Sequence, residues 1–280
     1  MRTILILVII GVVSAIFVLS SNQARTATRI VFCDVGQGDA IYLRLDSQID
    51  VLIDSGPYSQ IISCLNQEMP YFDRTIELAF LTHPEKDHFG GFPYLLGSFK
   101  IQALYLPTSV RNNLPSNEPW QQFWQQAKNN INEINYLSQG DEISIGTSLF
   151  TILWPEATST ESKIQEYNNS ALGILAQVKD KQILLLSDMD IAPAERAISQ
   201  LNLNVDIFKI NHHGSKYGLS QKLLKLADPQ LAVISVGKQN WYGHPHNEVI
   251  QLLQSLNVPI KRTDKNGKIV LPLYSIPDMD

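Results

Sequence analysis

The sequence predicts an α/β fold in which two β-sheets lie face to face with helices outside them. Three observations carry the prediction. Short β-branched or apolar runs come in clusters, segments with helical periodicity lie between the clusters, and several runs end in an aspartate or a histidine. A chain of 280 residues can bury a substantial core, and α/β folds of this size commonly form one domain. Neither an internal repeat nor a strong linker divides the part after the N-terminal apolar run.

From Arg29 onward, IVFCDV, AIYLRL and DVLIDS are punctuated by VGQGD and DSQID, and they predict a three-stranded meander. SGPYSQIISCLNQE reads as a helix opened by Ser55 with Pro57 in its first turn. LAFLTH follows as a buried strand, FGGFPYLLGSF as a short helix, and IQALYLPTS as a strand ended by a proline. SNEPWQQFWQQAKNNINEIN has a Ser/Asn start, Pro119 early, and Trp120, Phe123, Trp124 and Ala127 at helical spacing. That aromatic stripe reads as core. ISIGTSLFTILWP is another strand-like run, EATSTESKIQEYNNS an irregular loop, and LGILAQV with QILLLSD a hairpin joined by KDK. DMDIAPAERAISQL is a capped helix, NVDIFKINHHGS a strand ending in a polar loop, and LAVISVG a buried strand. HPHNEVIQLLQSL places Val249, Leu252, Leu253 and Leu256 on one helix face. IKRTDKNGKIVLPLY is expected to close the chain as a hairpin around Asn266 and Gly267.

Composition narrows the classes further. The net charge of −5 argues against a broad basic nucleic-acid groove while leaving room for a local positive patch. The two cysteines, Cys33 and Cys64, exclude a disulfide framework and a thiolate zinc site. They are expected to be separate buried thiols, with a disulfide as the alternative in an extracytoplasmic domain. After Met1 and Arg2 the run TILILVIIGVVSAIFVL is apolar and uncharged to Leu19, at the lower limit for a membrane span. Arg2 favours an inside N-terminus, and Arg25 and Arg29 oppose it. The reading is an anchor or signal peptide over 1–24 and a domain over 30–275 outside the cytoplasm.

The chemistry-bearing stretches lie just past strands. In THPEKDH, His83 and Glu85 can serve one metal ion, and Asp87 and His88 another. The bland alternative is a solvated acidic loop with Asp87 as a cap. LLLSDMD ends a strand with Asp188, where a carboxylate can bridge two ions, and NHHGS offers His212 and His213 before a glycine turn. YGHPH adds His244, held between Gly243 and Pro245, and His246, which also suits a helix cap. Lys86, Lys209, Lys216 and Lys238 lie beside these motifs, by chance or because they converge on an anionic substrate.

The order DVGQGDAIYL, VLIDSG, LTHPEKDHFGG, NNSALGIL, LLLSD, INHHGSK, AVISVG, YGHPH and RTDKNGKI resembles the metallo-beta-lactamase superfamily, and within it the hydrolase domain of the ComEC-type competence proteins. The resemblance runs from about Ile30 to about Leu273. It implies a four-layer αββα sandwich with a dinuclear site at one edge of the sheets. His83, Asp87, His88, Asp188 and His213 are the ligands it implies, with Glu85 at a position where the commoner pattern has histidine. Asp54 would be a nearby carboxylate, His212 would orient its neighbour, Lys216 would face the substrate, and His244 would face the scissile group. A histidine usual before the bridging aspartate is absent, and Asn168 to Ser170 occupy that region. Carboxylate in place of imidazole shifts preference toward harder ions, so manganese stands beside zinc, with magnesium as a third candidate.

The resulting expectation is a metal-dependent phosphodiesterase or nuclease with two divalent ions, acting on DNA or another anionic phosphodiester outside the cell. Asp87 or Asp188 would orient the attacking water, and His244, neutral or protonated, would steady an oxygen. Two alternatives remain: a hydrolase of an ester, lactone or lactam, and a metal-poor binding protein on the same fold. In ComEC-type proteins the domain accompanies a multi-span channel, whereas this chain carries one apolar segment.

Overall fold

The structure is a computed structural model that describes residues 27–111, 114–157 and 167–273. The apolar run over 1–24, and the anchor or signal expected there, lie outside the described residues. Among those described, no helix is long and apolar enough to cross a membrane.

The described residues build fourteen strands. They are β1 (Arg29–Phe32), β2 (Ile41–Leu45), β3 (Ile49–Ile53), β4 (Thr75–Phe80), β5 (Lys100–Pro107), β6 (Glu133–Leu137) and β7 (Glu142–Ile145), followed by β8 (Ser148–Trp154), β9 (Gly173–Val178), β10 (Lys181–Leu185), β11 (Ile207–Lys209), β12 (Leu231–Ile234), β13 (Ile260–Arg262) and β14 (Ile269–Pro272). One seven-stranded sheet has the order β14-β1-β2-β3-β4-β5-β6 and the other β13-β12-β11-β10-β9-β8-β7. The meander β1-β2-β3 is antiparallel, and β3 to β6 then run parallel. The second sheet repeats the plan, with β7 to β10 antiparallel and β10 to β13 parallel.

Both faces of each sheet are buried, which is why the strands read as near-continuous apolar runs. In β1, Ile30 and Phe32 face the other sheet while Val31 faces a helix layer. The inter-sheet core holds Phe80, Phe150, Ile174 and Ile183. Trp120, Phe123 and Ala127 pack outside the first sheet, as their spacing predicts, and the Asn117 side chain caps their helix by accepting from the Trp120 N–H at 3.0 Å. Outside the second sheet lie the helices Ile191–Ile198, Gln221–Ala227 and Asn247–Ser255. The result is the four-layer αββα sandwich.

Several expectations are corrected. The last segment is no hairpin: β13 pairs with β12 in one sheet, and β14 pairs with β1 in the other. Thr263 decides this, because its hydroxyl accepts from the Val236 N–H at 2.7 Å and anchors the intervening turn to the end of β12. The helix expected from Ser55 begins at Gln60, leaving Ser55 free to donate to the His88 carbonyl at 2.9 Å. INEIN leaves the preceding helix and joins the first sheet as β6, its alternation fitting an edge strand. Cys33 and Cys64 are not separate thiols. They form a buried disulfide across 31 residues of sequence, with Cα atoms 5.9 Å apart, tying the end of β1 to the helix Gln60–Glu68.

Candidate metal centre

The parallel strands of both sheets end at one rim, and each ending supplies a polar side chain. Asp54 follows β3, Thr82 and His83 follow β4, Ser187 and Asp188 follow β10, and His213 follows β11. A helical turn, Lys86–Phe89, adds Asp87 and His88. Residues more than a hundred positions apart thereby meet. His88 Nε2 lies 3.3 Å from Asp188 Oδ2, and His213 Nε2 lies 3.2 Å from that oxygen and 3.2 Å from Asp87 Oδ2. One donor atom from each of Asp87, His88, Asp188 and His213 falls within 4.8 Å of all the others. His83 lies beside His88 with ring centroids 4.0 Å apart and the planes tilted by 51°, and Glu85 approaches His83 Nε2 at 3.9 Å from a more exposed position.

Hydrogen bonding fixes the tautomers. The His88 Nδ1–H donates to Asp54 Oδ2 at 2.8 Å, and the Thr82 hydroxyl donates to the same oxygen at 2.7 Å. With its proton so used, the Thr82 oxygen accepts from His83 Nδ1–H at 3.1 Å. The His213 Nδ1–H donates to the Ser235 carbonyl at 3.0 Å. All three imidazoles therefore turn Nε2 inward, with a free lone pair on His83 and a proton that a cation would displace on His88 and His213. The Nε2 atoms of His83 and His88 and Oδ1 of Asp188 are buried without a hydrogen-bond partner, an arrangement costly for a polar core and suited to a divalent cation.

Charge in the cluster is balanced among its own groups. Burial disfavours the charged form of His88, but Asp188 and Asp54 override it and hold its pKa well above the usual histidine value. Burial opposes His213 likewise and is overridden by Asp188 and Asp39. Asp188, pushed up by burial, is pulled well below the carboxylate range by His213 and His88. His83 goes the other way: burial and then His88 lower it to about 3. A divalent cation would satisfy the same carboxylates and displace protons from His88 and His213, so the residues fit such an ion.

Lys209 corrects one expectation. It does not face the rim: it is 1 % exposed, its ammonium ion-paired with Asp39 and 3.6 Å from Asp188 Oδ1. Burial works against its charge, but Asp39 and Asp188 raise its pKa and keep it protonated. Asp39, in DVGQGD, also lies 3.4 Å from His213 Nδ1. The sequence reading missed Thr82, Ser187, Ser235 and the supporting role of Asp39; only Asp39 carried a signal, its place in the glycine-rich motif.

The remaining candidates surround the cluster. His212, with φ 48°, comes within 3.9 Å of Asp188 Oδ2 and sits edge-on to His244 at 5.7 Å between centroids. His244 is held by Asn240, which accepts from its backbone N–H at 2.8 Å and donates to its carbonyl at 2.7 Å. Burial, then the neighbouring His213, His212 and His246, lower its pKa to about 4, so the ring is neutral at pH 7. Lys216 turns its ammonium over the Tyr217 ring at 5.3 Å, and its backbone N–H donates to His246 Nδ1 at 3.2 Å. The Asn169 amide in the NNS segment bonds to Asp190 at 3.2 Å.

The chain is 31 % identical over 254 residues to ComE operon protein 3 of Bacillus subtilis (strain 168), covering 84 % of this chain and 32 % of that protein. It is 27 % identical over 255 residues to Recombination protein 2 of Haemophilus influenzae, covering 90 % and 29 %. The chain has the metallo-beta-lactamase fold and is similar, over most of its own length, to part of each of these two proteins. It spans about a third of the length of these curated relatives. No protein-family model matches it. The fold recurs in YhfI of Bacillus subtilis, a metallo-beta-lactamase fold protein, with TM-score 0.56, 11 % identity and coverage of 87 % of this chain and 100 % of that one. It recurs in the diiron β-hydroxylase CmlA of Streptomyces venezuelae, with TM-score 0.57, 14 % identity and coverage of 88 % and 54 %. Zn(2+)-bound PqqB of Methylobacterium extorquens gives 0.56, 13 % identity and coverage of 85 % and 88 %.

Proposed function

We propose that the chain is a metal-dependent hydrolase of phosphodiesters, a phosphodiesterase or nuclease acting outside the cytoplasm. The observation that carries this reading is the convergence of His88, Asp188, His213 and Asp87 on one point with inward-facing donor atoms. Divalent ions at such a cluster supply an activated water and positive charge for the phosphoryl oxygens. Zinc and manganese are the first candidates, with magnesium third, because the donors mix imidazole with carboxylate. The fold neighbours CmlA and PqqB carry iron and zinc respectively.

The chain's own residues divide the remaining work. Asp54, Thr82 and the Ser235 carbonyl orient the imidazoles. Asp87, its side chain 29 % exposed, stands where the cluster meets solvent and orients the attacking water. Neutral His244 steadies a phosphoryl oxygen by donating a ring N–H, in place of the imidazolium considered from sequence. Burial and then Asp87 push Glu85 up to about 6, so a cation beside it would compete with a proton for its carboxylate.

The name of one relative, Recombination protein 2, favours a nucleic-acid substrate. The buried Cys33–Cys64 disulfide favours an oxidising compartment. Hydrolysis of single-stranded DNA and of a generic phosphodiester with added manganese or zinc tests the reading. Wild type is expected to cleave both and Asp87→Ala neither. Activity on a lactam or carboxylic ester without phosphodiester cleavage would transfer the assignment to the other hydrolase class. Fewer than one ion per chain after gentle purification would favour a binding protein.

A further inference from the structure

A cleft of about 320 Å³ opens beside Asp87 and is lined by Gly36, Gln37, Tyr58, Lys86 and Tyr242. Its two aromatic walls come from different sheets: Tyr58 follows β3, and Tyr242 lies in the loop after β12. Both rings are exposed, at 48 % and 68 %. Single exposed aromatics are ordinary surface features. Here two share one concavity with a cation and with a residue of the candidate metal centre. The Lys86 ammonium lies 4.7 Å from the Tyr58 ring centroid, and the Tyr242 ring stacks on His244 at 5.7 Å between centroids with an interplanar angle of 25°. His244 in turn borders His212 beside Asp188. The cleft is thus continuous with the cluster through Asp87 on one side and through Tyr242 and His244 on the other.

We infer that this cleft is a stacking subsite for the base of the nucleotide next to the scissile phosphate. The inference rests on the phosphodiesterase reading and adds to it where the base goes and which residues hold it. Every base has a π-face, so aromatic walls hold a strand without reading its sequence, and a lysine beside them meets the backbone phosphate. The volume lies at the low end for ligand sites and suits one nucleoside. A paired base in a duplex has its faces covered by its neighbours, so the subsite selects unpaired strands. The chain's net charge of −5 makes such a local cation necessary for holding an anionic polymer.

Binding of labelled oligodeoxyadenylate, and of an abasic strand of equal length, tests this by fluorescence anisotropy on the full chain with chelator present, so that nothing is cleaved. Wild type is expected to hold the base-bearing strand about ten- to a hundredfold tighter than the abasic one. Tyr58→Ala with Tyr242→Ala is expected to erase that preference and leave abasic binding unchanged, while Tyr58→Phe with Tyr242→Phe keeps it. Equal binding of both strands by wild type, or a preference that survives in the double alanine variant, would overturn the inference. A failure to cleave phosphodiesters with metal present would count against the proposed activity and leave this binding result to stand or fall separately.

Discussion

Replacing Asp54 with asparagine should weaken metal binding at the Asp87–His88–Asp188–His213 cluster without changing any of those four side chains. The carboxylate is fully buried; Oδ2 accepts from His88 Nδ1–H at 2.8 Å and from the Thr82 hydroxyl at 2.7 Å, while Oδ1 accepts from the Thr82 N–H at 2.8 Å. An asparagine can fill this site in two ways, and both fail. With its oxygen toward His88, its NH₂ faces the Thr82 N–H, two donors meet, and a buried donor is left unpaired at about 1 to 3 kcal/mol. With its NH₂ toward His88, the imidazole must move its proton to Nε2, where it blocks the cluster. Loss of such an orienting partner typically weakens metal affinity about 10- to 100-fold, equivalent to ~1.4 to 2.7 kcal/mol. Competition against a chelator with manganese or zinc measures the change directly. An Asp54→Asn protein that binds either ion as tightly as wild type would refute the reasoning.

Three further outcomes are expected. Lys209→Met leaves Asp39 and Asp188 without their buried counter-cation, so stability should fall by about 3 to 5 kcal/mol, and a divalent ion should restore part of it; an unchanged unfolding midpoint without metal would contradict this. Removing the disulfide with Cys33→Ala and Cys64→Ala releases a loop of 31 residues, expected to cost about 3 to 4 kcal/mol in chemical denaturation; an unchanged midpoint would count against it. His244 is lowered from 6.5 to about 4 by burial and the imidazoles around it, so between those values the unfolded chain takes up a proton that the folded chain does not. Its contribution to stability is present above pH 6.5 and is lost as pH falls toward 4, so His244→Gln should show a shallower decline in thermal midpoint over that window, and parallel curves for the two proteins would exclude the effect.

Periodicity exposed the sandwich, because strands buried on both faces are continuous apolar runs and the meander and the β9–β10 hairpin are local. The metal cluster was legible in part, since Asp188 and His213 each follow an apolar strand and His83 through His88 share one loop. What escaped notice depends on contacts distant in sequence. Lys209 reads as one more surface lysine until β10 and β11 pair and place it against Asp39 and Asp188. Thr82 and Ser187 have no distinguishing pattern, yet their hydroxyls meet at 2.7 Å across 105 residues. The segment 260–273 carries a proper turn signature, but β14 finds a better partner in β1 than in β13, and local turn chemistry cannot report that competition. For Cys33 and Cys64 the disulfide stood only as the alternative to separate thiols, because the helix that brings Cys64 to β1 had to be in place first.

Anomalous diffraction from crystals grown with manganese tests the convergence of these side chains on a cation more directly than any rate. The account predicts a peak bounded by His88, Asp188, His213 and Asp87, with any second ion beside His83. A well-ordered crystal whose manganese sits elsewhere, leaving those four side chains unligated, would contradict it.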